Sequence, residues 1–225
     1  MTTLVIAPHA DDEVLGLGGT MAKLAASGEK VVVAVLTGHG DQEHPLWPPE
    51  AWDVVRAECQ SACRILGASE VLFRELPAAC LDVTPAWQIN AVVNEVIDTV
   101  KPSQIFIPFA NDLHKDHGAL AYATSVATRP YLALGKQVKR ILAYETLSET
   151  HLAPAYLEPA FQPTAFSDIS EFLDAKLEAF AAYKTQIQED NMPRSLRGIR
   201  SQAHYRGCSI GVEAAEAFVV LREHL

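Results

Sequence analysis

The hydrophobic positions of this chain fall into short, unbroken apolar runs that alternate with longer stretches of helical period. Residues 2–7, 30–37 (with four valines), 70–75, 103–108 and 138–145 read as strands, several of them apolar on both faces and so fully buried. Between them, residues 16–27 set Leu17, Met21, Leu24 and Ala25 at helical spacing, following Leu15, and stop at Gly28. Residues 50–66 form a second helical stretch ended by Gly67, and residues 85–100 a third, with Ile89, Val92, Val93, Val96 and Ile97 inward. Residues 118–128 form a fourth. The pattern loosens after Glu145. Residues 151–163 read as an ordered loop rich in Pro and Ala, 166–169 as a short strand and 170–185 as a helix. Residues 188–197 read as a loop, 201–208 as a short helix and 217–222 as a last strand. Repeats and interdomain linkers are absent, so one domain over residues 1–225 is expected.

Strands that alternate with helices, without hairpin signals, imply parallel pairing through right-handed crossovers. The expected fold is α/β: a three-layer sandwich with a mostly parallel, Rossmann-like sheet of order 3-2-1-4-5 plus C-terminal additions. In that order strands 1 and 4 flank the switch point, and ligands bind outside the carboxyl ends of the strands there.

Both of those strands end in clusters that carry chemistry. Leu4-Val5-Ile6 runs into His9, Asp11, Asp12 and Glu13, one imidazole and three carboxylates within five residues. Adjacent acids beside a buried strand repel one another and are costly to desolvate, and a cation would remove that cost. His with Asp suits zinc. A solvated turn with an N-capping Asp is an equal reading of this stretch alone. The second cluster, Asp112, His114, Asp116 and His117, follows Ile105-Phe106-Ile107-Pro108. Neighbouring strands would bring the two halves into one site.

Composition narrows the function. A chain of 225 residues with 49% hydrophobic residues can bury one sizeable α/β core. A formal net charge of −10 argues against general nucleic-acid binding. Cys59, Cys63, Cys80 and Cys208 form neither a CxxC pair nor a disulfide framework, which fits a reducing compartment. Cys59 and Cys63 share a helix face with Val55, Ala62 and Leu66 and read as core packing. No apolar run approaches the ~18 residues of a membrane span, and no basic region precedes the first one. A cytoplasmic protein is expected, with monomer and homo-oligomer both open.

His9-Ala10-Asp11-Asp12-Glu13 and His114-Lys115-Asp116-His117 together resemble the two signatures of the LmbE-like or PIG-L-like N-acetylglucosaminyl deacetylases. Arg56-x-Glu58, Leu66-Gly67 and the 183–186 region extend the resemblance. It implies His9, Asp12 and His117 as zinc ligands, Asp11 as general base and His114 as the group that polarises the carbonyl. It also implies Arg56 as a contact to sugar hydroxyls. The substrate implied is a small N-acetylated sugar conjugate, and a site of two His and one Asp also accepts iron, cobalt or manganese. His114 stands one helical turn before His117, beside the metal without binding it. Asp116 would hold His114 in its charged or oriented form, or cap the helix, and Glu13 would brace a ligand or the loop. Ala10 and Lys115 stand where the family usually or often has Pro, and neither position supplies a ligand. Leu76-Pro77-Ala78-Ala79 lacks the Asp that several sugar-binding members carry after this Leu-Pro pair, which leaves the substrate open.

Other features take plainer readings. Gly16-Leu17-Gly18-Gly19 reads as tight helix–sheet packing, because three acids stand where a phosphate would sit. His39 and His44 read as surface-loop residues ahead of metal contacts. Tyr144-Glu145, Tyr183-Lys184, Arg194 and Arg197 are candidates for the cleft edge, with solvated surface as the default. Two rivals remain: an amidase acting on a non-sugar acetamide, such as an antibiotic or thiol-cofactor precursor, and a non-catalytic Rossmann-like binding protein. A nucleotide-binding protein is disfavoured, because strand 2 closes on Leu36-Thr37-Gly38 without an acid.

Overall fold

The protein is described here by a computed structural model covering residues 1–40, 44 and 46–224. The loop that carries His39 and His44 falls partly on residues 41–43 and 45, which lie outside the described residues. The first half alternates as the apolar pattern predicts: β1 (Thr2–Ala7), α1 (Asp12–Ala26), β2 (Lys30–Gly38), α2 (Pro49–Ile65), β3 (Glu70–Pro77), α3 (Ala86–Val100), β4 (Gln104–Pro108) and α4 (Lys115–Ala127). Then come α5 (Ala133–Gln137), β5 (Arg140–Tyr144), a 3-10 turn at Thr150–Leu152, β6 (Ala165–Asp168), α6 (Leu173–Ala181), α7 (Leu196–Cys208) and β7 (Ala215–Glu223).

The sheet has seven strands in the order β3-β2-β1-β4-β5-β7-β6. The five expected strands pair parallel, and β7 and β6 add an antiparallel edge. Successive side chains of a strand point to opposite faces, so β1 feeds two cores. Val5 packs with α1, α2, α6 and α7. Leu4 and Ile6 pack with α3 and α4 on the other face. Among the described residues, no helix is long and apolar enough to cross a membrane.

Three helices start earlier than their apolar period suggests. α1 begins at Asp12 rather than 16, α4 at Lys115 rather than 118, and α7 at Leu196 rather than 201. In α1 and α4 the opening residues are polar and in α7 they are mixed, and in each case the residue before the helix rather than an apolar period sets the start. Asp11 accepts backbone bonds from Val14 (3.1 Å) and Leu15 (2.9 Å). His114 and Ser195 accept side-chain caps from Asp116 N and Gly198 N. The predicted helix over 170–185 is shorter, ending at Ala181.

Helix α1 is kinked at Leu17 (φ −151°, ψ 27°), inside the Gly16–Gly19 run. The close packing read from those glycines is present: a Cβ on Gly16 would overlap the Tyr144 ring, and one on Gly19 would stand 2.7 Å from Ile169 Cδ1. A kink frees backbone groups, and buried ones need partners. Gly19 N and Thr20 N donate to the Glu216 carboxylate at 3.0 and 2.7 Å. Lys176 Nζ donates to Leu15 O at 2.9 Å and to Glu216 Oε1 at 2.6 Å. Lys176 and Glu216 are both buried, so the kink is held by an ion pair reaching in from α6 and β7. Lys176→Met should therefore leave Glu216 buried without its counter-charge and destabilise by about 3–5 kcal/mol. Differential scanning calorimetry should show a midpoint roughly 10 °C lower. An unchanged midpoint would mean that the pair contributes nothing net.

Candidate active site

Parallel pairing of β1 with β4 (Val5 opposite Phe106) brings the two clusters to the same end of the sheet. Between them and the start of α2 lies a cavity of about 490 Å³, lined among others by His9, Asp11, Asp12, His114, His117, Arg56 and Arg194. Thr37 Oγ1 ties the first loop down by donating to Pro8 O at 2.7 Å.

Three donor atoms converge at the cavity floor. Asp12 Oδ2 stands 3.2 Å from His9 Nδ1 and 3.3 Å from His117 Nε2. Ligands at 2.0–2.1 Å around a tetrahedral ion stand about 3.3–3.4 Å apart, so this spacing suits one cation. His117 is fully buried, and its Nε2 has no hydrogen-bond partner among the described residues. An orphaned imidazole nitrogen aimed at a carboxylate and a second imidazole fits an ion at that point. His114 also has a ring nitrogen within 4.8 Å of those of His9 and His117.

The far side of each ring is held. His9 Nε2 donates to Asp116 Oδ2 at 3.0 Å, and His117 Nδ1 to Asp112 Oδ2 at 2.9 Å. Those bonds fix which nitrogen faces Asp12, so that each ring, on losing a proton, would turn the lone pair of His9 Nδ1 or His117 Nε2 toward it, as metal-binding histidines require. Thr150 Oγ1 supports Asp112 at 3.1 Å. The expected partnership of Asp116 with His114 is corrected here. The Asp116 carboxylate takes His9, Ala79 N (2.6 Å) and Leu81 N (3.0 Å), and stays 4.0 Å from His114 Nδ1. It is the Asp116 backbone N–H that reaches His114, because His114 caps α4 and folds back on its own first turn. Nδ1 therefore accepts, and the proton of neutral His114 sits on Nε2.

Consecutive Asp11 and Asp12 point apart. Asp11 Oδ2 lies 3.2 Å from Arg194 Nη1, away from the two imidazoles. Its backbone has φ 131°, a conformation costing an L residue about 1–3 kcal/mol and common where sites store strain. Glu13 Oε2 holds it by accepting from Asp11 N at 3.0 Å. Glu13 Oε1 in turn accepts from Tyr183 OH and faces the thiols of Cys59 and Cys63 at 3.8 and 3.9 Å.

The electrostatics of the site's own groups follow from burial and from these pairs. Burial pushes the Asp11 carboxyl up to about 8, with Asp12 adding and Arg194 opposing. Burial acts on Asp12 in the same sense, but His117 and His9 outweigh it and hold it well below the usual carboxylate range. Burial opposes a charge on His9, yet Asp116 and Asp12 raise it to about 9. His117 is likewise raised, by Asp12 and Asp112 against burial. His114 is pushed down to about 4 by burial and by the adjacent His9.

Several cleft-edge candidates lie elsewhere. Tyr144 is fully buried and donates to Ile6 O at 2.8 Å, while Glu145 pairs with Arg206 at 2.7 Å. Tyr183 is interior, bound to Glu13, and Arg197 is exposed. His39 sits 3.7 Å from Glu75. His44 is buried, bonded at 2.8 Å to Ala78 O. Arg56 reaches the cavity wall with its guanidinium 2.6 Å from Glu75 and 5.3 Å from the Phe73 ring centre. Glu58, two residues on, accepts from Thr185 N and Oγ1 at 3.0 and 2.6 Å and so ties the 183–186 segment to α2. Thr146, Ser148 and Glu149 also line the cavity and carry no sequence signal beyond following β5.

Comparison with known proteins agrees with this geometry. Residues 4–128 match the PIG-L family, described as GlcNAc-PI de-N-acetylase. The chain is 28% identical over 227 residues to the diacetylchitobiose deacetylase of Thermococcus kodakarensis, covering 95% of this chain and 80% of that one. It is 25% identical over 192 residues to the probable N-acetyl-alpha-D-glucosaminyl L-malate deacetylase 2 of Bacillus cereus, covering 82% and 83%. The crystal structure of a conserved protein from Thermus thermophilus superposes with a TM-score of 0.75 at 26% identity, covering 99% of this chain and 96% of that one. Two clusters meeting at the ends of β1 and β4, and a family match that includes both, have one conclusion: the chain belongs to the PIG-L family and is a deacetylase, a hydrolase acting on amide bonds.

Proposed function

We propose that this protein hydrolyses the N-acetyl group of an N-acetylglucosamine-containing conjugate, releasing acetate and a free amine, within a single catalytic domain. One divalent ion, zinc in the first instance, would be held by His9, Asp12 and His117. The observation that carries this reading is the buried, partnerless Nε2 of His117, 3.3 Å from Asp12 Oδ2. Bound there, the ion would supply Lewis-acid activation of water and of the amide carbonyl.

The remaining steps belong to side chains. Asp11 takes the proton of the attacking water on Oδ1, the oxygen not facing Arg194, and later delivers it to the departing amine nitrogen. His114 donates from Nε2–H to the charge developing on the acetyl oxygen, and its low basicity keeps it a neutral donor. Asp116 and Asp112 orient the two ligand imidazoles. Arg56 offers the guanidinium donors that Glu75 leaves free to the sugar hydroxyls. The test is acetate release from a panel of N-acetylglucosamine conjugates, with metal analysis on the same sample. Absence of acetate from every member by ion-loaded protein would reject the reading.

Ion uptake should be acid-sensitive. In the ion-free protein His9 keeps its proton up to about pH 9, and His117 is also held charged. Both must lose a proton to bind, so affinity rises with pH below that value. The expected slope is about tenfold per pH unit if one proton is released and a hundredfold if two are. Competition against a chelator at pH 6 and pH 7 measures it, and a flat response would show that both rings are already neutral.

Arg56→Lys should fold and load the ion normally. It should lose ~1–3 kcal/mol in specificity constant on sugar substrates, because an ammonium cannot imitate the guanidinium fork. Against a minimal acetamide it should match the parent. Equal losses on both would assign Arg56 to the Glu75 and Phe73 contacts alone.

A further inference from the structure

The cavity has two unlike halves. Its floor is polar, whereas the wall formed by the start of α2 and the segment before it presents Trp47, Ala51, Trp52, Val54 and Val55. Trp47 is 43% exposed and Val54 50% exposed, so large apolar side chains face open space beside a catalytic floor. Grouped exposed apolar side chains of this kind mark binding surfaces.

The wall is also built. His44 Nδ1 accepts from Leu46 N (3.2 Å) and Trp47 N (3.3 Å), so its proton sits on Nε2, which donates to Ala78 O at 2.8 Å. This imidazole stacks on Trp47 with ring centres 5.1 Å apart and meets Trp52 edge-on at 5.4 Å. The two indoles meet edge-on at 5.7 Å. Each ring is thus held before any ligand arrives, which lowers the entropy cost of binding.

Charge limits what can sit against this wall. The cations lining the cavity are Arg56 and Arg194, committed to Glu75 at 2.6 Å and Asp11 at 3.2 Å. The residues outside the described ones are Asp41, Gln42, Glu43, Pro45 and Leu225, none of them a cation. A carboxylate on the substrate would face Asp11, Asp12 and Glu149 without an unengaged positive partner. A polyol would find few partners on this wall beyond Trp52 Nε1, unpartnered among the described residues, and most of its hydroxyls would lie unpaired against indole and valine carbon. A flat or aliphatic uncharged group meets neither cost.

We infer that the wall of Trp47, Trp52, Val54 and Val55 is a subsite for an uncharged aromatic or aliphatic aglycone attached to the N-acetylated sugar. The inference rests on the deacetylase reading above and names its substrate class. Within a cavity of about 490 Å³, the sugar's acetamide reaches the floor while the aglycone lies along α2.

The test compares zinc-loaded protein on methyl, butyl and phenyl N-acetylglucosaminides of both anomers, on the L-malate conjugate and on diacetylchitobiose. Acetate release gives specificity constants, and calorimetry gives binding of the same compounds. The phenyl and butyl compounds are expected to exceed the methyl and the polar conjugates by roughly tenfold or more. Trp47→Ala should bring the phenyl-to-methyl ratio close to one. Val54→Thr, which keeps the side-chain shape and adds a hydroxyl, should lower that ratio without disturbing the fold. A flat series, a preference for the malate or chitobiose compound, or a preference untouched by both variants would overturn the inference. If no compound yields acetate but calorimetry still favours phenyl over methyl, the deacetylase reading fails and the apolar subsite stands.

Discussion

His117→Ala should yield a folded protein without its ion and without activity. The ring supplies a buried nitrogen that no described protein group satisfies, and it closes the donor triangle with Asp12 and His9. Its removal leaves two donors, and Asp12 loses the larger of the charges that hold it ionised. The loss in affinity should far exceed the ~10–100-fold typical of losing a hydrogen bond behind a ligand. Asp112→Asn provides that milder case: the ring stays, and only the bond to its Nδ1 weakens. Native mass spectrometry of protein loaded with one equivalent of zinc should rank parent above Asp112→Asn above His117→Ala. Some destabilisation accompanies the alanine, because a buried ring leaves a cavity, and a melting curve separates that from ion loss. A His117→Ala protein that holds a full equivalent of metal would remove His117 from the ligand set.

Much of the architecture was legible because it is written in local period. The apolar runs of β1, β2 and β4 and the helical face of α3 need only their own residues to be read, and parallel pairing followed from the absence of hairpin signals. The antiparallel pair β7 and β6 was visible only as two weak strand patterns, since their partner choice depends on the free edge of β5. The His and Asp clusters were readable as clusters, and the structure brings both to one cavity floor. What escaped depends on pairs far apart in sequence. Asp116 reaches His9 across 107 positions, while the nearer and more obvious His114 takes only its amide. Lys176 and Glu216 carried no sequence signal, because nothing local announces a kink in α1 that needs them. Tyr144 and Tyr183 carried the marks of cleft residues, yet each hydroxyl serves a buried acceptor of the β1–α1 segment. Cys59 and Cys63 read as core and are core, but their thiols also face the carboxylate that holds Asp11 in place.

Asp11→Asn should separate proton transfer from ion binding. Asparagine keeps the size of the side chain and is among the residues that best tolerate positive φ, so the 131° backbone should survive. The bonds that fix this turn are also independent of the carboxylate: Asp11 N donates to Glu13 at 3.0 Å, and Asp11 O accepts from Val14 and Leu15. Asp11 Oδ2 faces Arg194 rather than the His9–Asp12–His117 triangle, so the ion should load as in the parent. An amide cannot accept a proton at neutral pH, and turnover should fall by roughly 10²–10⁴, the scale of a general base. Apparent substrate affinity should change little. The pH profile gives a readout that a merely structural role would not move. Burial raises the Asp11 carboxyl, so in the parent the base is lost as pH falls and the rate declines on the acid side. The same variant should lack the part of that decline due to Asp11, while the decline from ion loss remains in both and can be held constant with excess zinc. Wild-type turnover in a fully loaded Asp11→Asn protein would leave the base unassigned. Metal content falling as far as in His117→Ala would instead make Asp11 a ligand.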